Sequence, residues 1–133
     1  MLNDEDLLAK YIFKEKEIRA DGRPRPTNMK PREGEKLSMM EVTDLQHGGI
    51  CEHGHIYVDN PSMNRVHIGY VKYVCESLAR VGLEAVYDNK PPRHVSVVFP
   101  NIPELRREAA KALADETIVI NEKLDRKYFA ECS

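Results

Sequence analysis

Residues 62–82 read SMNRVHIGYVKYVCESLARVG, and the fold turns on how they are read. Val66, Tyr70, Val71, Val74, Cys75, Leu78 and Val81 recur at spacings of three and four, the period of one helix face. Lys72, Glu76 and Arg80 fall on the other side, and Gly82 stands where a helix ends in a left-handed cap residue. The spacing predicts a long helix over 62–82.

Downstream, residues 83–87 are a strand candidate, and Asp88-Asn89-Lys90-Pro91-Pro92 is a turn. The continuous apolar run Val95-Ser96-Val97-Val98-Phe99 predicts a strand inside the sheet rather than at its edge. Residues 101–116 predict a second helix, with Asn101 and Glu104 as a capping box, Pro103 in the first turn, and Leu105, Ala109, Ala112 and Leu113 as its apolar stripe. Ile118-Val119-Ile120 suggests one more strand, and Leu124, Tyr128 and Phe129 lie near one face of a short helical tail. Upstream, strands are expected near 9–14, 36–42 and 55–58, the last closed by Asp59-Asn60-Pro61. The expectation is an α+β domain over 1–120, a mixed or antiparallel sheet packed with two main helices at about 62–82 and 101–116. The tail, 121–133, docks on the domain or on a partner.

Composition bounds the function. A chain of 133 residues, 41% hydrophobic and 32% charged, suits one soluble domain rather than a disordered segment. A net charge of −2 excludes a basic nucleic-acid coat, so any such surface is a local patch. Cys51, Cys75 and Cys132 are odd in number and scattered, which argues against a disulfide scaffold and for a reducing cytoplasm. MLNDEDLL lacks a basic leader, and no apolar window is long enough to span a membrane, so no membrane association is expected. Phosphate-loop, dinucleotide-loop, nucleophile-elbow and HExxH motifs are all lacking.

Three stretches hold candidate chemistry. Residues 45–58, LQHGGICEHGHIYV, place His47, Cys51, His53 and His55 within nine positions, with Glu52 as a possible base. A thiolate and imidazoles suit zinc, but Gly48, Gly49 and Gly54 break any element that would align them. The plainer reading is a glycine-rich turn between two strands. Arg93-His94 sits between a Pro-Pro turn and the apolar strand, where Arg93 suits an anion and His94 suits general acid–base work. Residues 19–36 form a Pro-rich loop with six cations against three carboxylates, a local charge of +3. Its Arg23, Arg25, Lys30 and Arg32 suit an acidic protein partner or a phosphate backbone.

IFKEKEIRADGRPRP, KLSMMEV and GLEAVYDNKPPRHVSVVFP, followed by the helix through EAAKALA, come in an order that resembles a group of small bacterial proteins of unassigned function. That group shares an I-R-x-D-G turn, an L-S-hydrophobic strand and a P-P-R-H turn into a strand. The resemblance implies no activity. It draws attention to Arg93, His94 and the Arg23 loop.

Two functions are therefore expected. The first is a cytoplasmic binding or accessory protein that engages a protein partner through the basic loop and the tail, with no resident cofactor. The second is a small enzyme on a phosphate-bearing substrate, a nucleotide or nucleic acid, using His94 and Arg93 or a zinc site at His47, Cys51, His53 and His55.

Overall fold

The computed structural model describes residues 2–32, 34–116 and 128–132. Six strands make one antiparallel sheet: β1 (Leu7–Ile12), β2 (Leu37–Glu41), β3 (Gly69–Val74), β4 (Glu84–Tyr87), β5 (His94–Val98) and β6 (Phe129–Glu131). Their order is β4-β5-β2-β1-β3-β6. The helices are α1 (His47–Tyr57), α2 (Cys75–Arg80) and α3 (Pro103–Asp115). The fold is α+β, as the sequence predicts, and β5 lies inside the sheet. The expected strand at 118–120 lies outside the described residues. Within the tail, Phe129–Glu131 docks on the chain's own β3.

The helix expected over 62–82 is not there. Gly69–Val74 is a strand that pairs with β1 along six residues, and only Cys75–Arg80 is helical. Tyr70 faces one core and Val71 and Tyr73 the other, so both faces of β3 are buried. A strand covered on both sides has no polar alternation, and its apolar residues satisfy helical spacing by accident. The aromatic and β-branched content of GYVKYV was the better signal. Gly82 still ends the helix, now a short one, with φ +81°.

Residues 47–57 form a helix where a turn and a strand were expected. Each interior glycine costs about 1 kcal/mol of helix propensity. Here tertiary packing overrides it: Ile50 is fully buried, and Gly54 lets the helix approach its neighbours. A Cβ on Gly54 would meet the His67 Cε1 at 2.5 Å and the Tyr11 ring at 2.6 Å. In α3 the first turn holds Pro103, but the cap residue is Ile102, with no side-chain cap bond, rather than Asn101. Leu105 is exposed, and Arg106 is buried instead.

The sheet separates two apolar clusters. Leu8, Ile12, Met39, Val71, Tyr73, Val95 and Val97 face α2 and α3, where Leu78, Ala109, Ala110 and Leu113 close the main core. Ala9, Tyr11, Met40 and Tyr70 face α1 through Ile50. The smaller cluster contains no residue of β4 or β5, so α1 leaves that end of the second face for polar side chains. A bond between Cys51 and Cys132 ties α1 to the end of β6. This corrects the expectation drawn from the cysteine count. An odd number leaves one thiol over, Cys75, and a separation of 81 residues gives no local signal of pairing.

Candidate active site

The turn between β4 and β5 sets the geometry. The amides of Asp88 and Asn89 both donate to the His94 carbonyl, at 3.2 and 3.0 Å, and the His94 amide donates to the Pro91 carbonyl. Arg93 has φ +71°, a left-handed conformation that costs a residue with a Cβ about 1 kcal/mol or more. Its amide is held by Asn89 Oδ1 at 2.8 Å. The turn thus places Asp88 and His94 side by side. Antiparallel register then sets Ser38 opposite Ser96, and Met40 opposite His94, so the three polar side chains share the second face.

The result is a continuous chain of hydrogen bonds. His94 Nδ1 lies 2.6 Å from Asp88 Oδ1, and His94 Nε2 lies 3.0 Å from Ser38 Oγ. Ser96 Oγ donates to the second Asp88 oxygen at 2.6 Å. An ionised carboxylate only accepts, so Nδ1 carries the proton and Nε2 of the neutral ring accepts from the Ser38 hydroxyl. Burial pushes the Asp88 carboxyl up, but the bonds from Ser96 and His94 outweigh it and hold the group below the ordinary carboxylate range. Ser38 is exposed to solvent, and Ser96 is buried. A hydroxyl bonded to an imidazole that is itself oriented by a carboxylate is the arrangement that activates a serine.

Arg93 does not share in this. Its guanidinium donates to Asp44 at 2.7 and 3.2 Å and to Glu41 at 3.3 Å, which raises its pKa and neutralises its charge. It fixes the turn against the end of β2.

The expected zinc set does not converge. His47 Nε2 lies 3.7 Å from Cys51 Sγ, but that sulfur is bonded to Cys132, and His47 Nδ1 is bonded to the Tyr70 hydroxyl at 2.8 Å. His53 is buried and packs on Tyr57, its pKa lowered by burial. His55 points instead at Asp59, 2.6 Å away, and His67 reaches the other oxygen of the same carboxylate at 2.8 Å. The ligand atoms of His55, Asp59 and His67 lie within 4.8 Å of one another. The Asp59 and His67 side chains are almost fully enclosed. Burial pushes His67 down, and the Asp59 carboxyl, pushed up by burial, is brought below its ordinary range by its bonds to His67 and His55. A strand over 55–58 would carry Asp59 away from His55; instead the helix runs to Tyr57 and the Asp59 amide bonds back to the Gly54 carbonyl, which brings its carboxylate to His55.

The basic loop is partly tied down. Arg23 donates to the Tyr128 hydroxyl at 2.9 Å and stacks over its ring, and Arg19 bonds Asp115. Buried Arg106 donates to the carbonyls of Pro31 and Arg32 at 2.6 and 2.7 Å, clamping the loop to α3. Arg25, Lys30 and Arg32 remain exposed. A cavity of about 320 Å³ carries Lys30, Arg32, Arg106 and Arg107, with no carboxylate in its described lining.

A scan against protein-family models finds no match, and searches of curated proteins and of solved structures find none. Among the described residues no helix is long and apolar enough to cross a membrane.

Proposed function

We propose that the chain is a small hydrolase that uses Ser38 as nucleophile, His94 as general base and Asp88 as the residue that orients His94. The observation that supports this is the unbroken chain from Ser38 Oγ through both His94 nitrogens to Asp88. The chemistry it suits is acyl transfer from an ester to the Ser38 oxygen and then to water. The open setting on a sheet face suits an extended or surface-presented ester rather than a small enclosed one. The test is a fluorophosphonate probe followed by peptide mapping. One adduct on Ser38, lost in Ser38→Ala with the melting temperature kept, is expected. Labelling that Ser38→Ala leaves unchanged sinks the assignment.

A second reading keeps the basic loop as the contact for an acidic protein partner or a nucleic-acid backbone. The exposed Arg25, Lys30 and Arg32 beside a cationic cavity favour it. Reversing all three to Glu is then expected to end retention on an anionic resin such as heparin at low salt. Unchanged retention removes the loop from consideration.

We also propose zinc at His55, Asp59 and His67, which would supply two nitrogens and a carboxylate oxygen. Competition against a chromophoric chelator is expected to show one zinc per chain, weakened more than tenfold in His55→Gln. Uptake that is absent, or equal in the variant, leaves the three residues as a hydrogen-bond cluster. The setting we propose is the cytoplasm, where thiol systems hold such bonds open. Three titratable thiols in freshly extracted protein support it, and one thiol speaks against it.

A further inference from the structure

Lys10 is a charged residue in the middle of an inner strand. Alternation along β1 puts it on the same face as Leu8 and Ile12, which belong to the main core. Lysine takes such a position seldom, and then usually with a paired carboxylate. Among the described residues no carboxylate lies within ion-pair distance of Lys10. Its amine makes one long bond to the Tyr11 carbonyl, at 3.4 Å, and Lys10 lines a cavity of about 530 Å³. The wall of that cavity carries Lys14, Lys16 and Arg65, with Asn28, Asn60 and Asn64, and Glu17 is the one acid in its described lining. Arg65 is fixed there by stacking 4.0 Å over the Phe13 ring.

We propose that this cavity binds a small carbonyl compound bearing a phosphate or carboxylate, and that Lys10 forms an imine with its carbonyl carbon. Lys14, Lys16 and Arg65 hold the anionic group. The Lys10 nitrogen adds to the carbonyl carbon, one of its protons passes to the oxygen to give a carbinolamine, and its second proton joins that hydroxyl, which leaves as water while the carbon–nitrogen double bond forms. The step consumes one carbonyl and releases one water, and it needs no oxidant or reductant. The amine must be neutral to attack. Burial is the main cause that lowers the Lys10 pKa, to about 8; nearby Arg65 lowers it further, and Glu17 raises it. A useful fraction is therefore unprotonated near neutral pH.

Pyridoxal 5′-phosphate, an aldehyde that carries a phosphate, is the probe, trapped with borohydride and located by peptide mapping. At one equivalent the expected adduct is on Lys10, ahead of the other nine lysines of the chain. Inorganic phosphate should protect against it, and pyridoxal without the phosphate should react at least tenfold more slowly. The rate should rise with pH to half its maximum at about 8. Lys10→Arg should abolish the adduct while the fold, read by circular dichroism, is kept. An adduct spread over surface lysines, or one indifferent to phosphate, overturns the proposal on the wild-type protein alone.

Discussion

Gly69→Ala is expected to lower the melting temperature by about 10 °C or more. Gly69 opens β3 between Ile12 of β1 and Glu131 of β6. A Cβ there would overlap the Ala130 carbonyl oxygen and come within 2.5 Å of the Phe129 ring. The oxygen is backbone and Phe129 is fully buried, so neither can step aside. Overpacking of this kind costs about 3 kcal/mol or more, and each kcal/mol is worth about 4 °C in a domain of this size. Gly48→Ala is the control. A Cβ at that helical position meets nothing within 4 Å, so the change should stabilise by a few tenths of a kcal/mol up to about 1. Thermal denaturation of the pair decides it, and equal melting temperatures would remove the steric account of β3.

Asp88→Asn should slow fluorophosphonate labelling of Ser38 by about a hundredfold or more with little change in stability. The amide is nearly the same shape, so Ser96 keeps an oxygen to donate to. It can also donate to His94 Nδ1, however, which drives the imidazole proton to Nε2 and leaves Ser38 facing a donor. In the serine-protease template the same change costs about four orders of magnitude. The smaller figure here reflects the 38% exposure of the Asp88 side chain, where water competes for the bond. The pH dependence has a definite sign. Asp88 is held below the ordinary carboxylate range, so the bond that orients His94 is lost only on acidification beneath that range. The labelling rate in wild type should fall as the pH drops below that range and the Asp88 carboxylate takes up a proton, losing its acceptor for His94 Nδ1. A variant that labels at the wild-type rate would show that Asp88 does not orient His94.

Much of the sheet was legible because its strands end in strong local signals. The turn chemistry of 88–92 and the apolar run after it located β5, and His94 and Arg93 stood out at its start. Ser38 and Asp88 did not. What makes them partners is the register between β2 and β5, across 56 positions in the chain for Ser38 and His94, and no local pattern encodes that. The histidine stretch misled for a different reason. Its glycines read as breakers, yet one of them is the contact that lets the His67 ring lie against α1. Lys10 stands in the sequence as a lone cation between Leu8 and Ile12 in an otherwise apolar strand, and only the cavity beside it gives it meaning.

The tie from α1 to the end of β6 bears on how the molecule keeps to itself. β6 is three residues long and covers the outer rim of β3, where Gly69, Tyr70 and Val71 would otherwise present unpaired backbone. A rim rich in aromatic and β-branched residues is a template for the strand of another molecule. While Cys51 holds Cys132, that template is covalently shut. With the sulfurs parted, a strand of three residues is a weak guard, and the thiol balance around the protein becomes a control on self-association. A sizing column run with and without reductant reads this control directly, as a shift toward dimers and larger species on reduction.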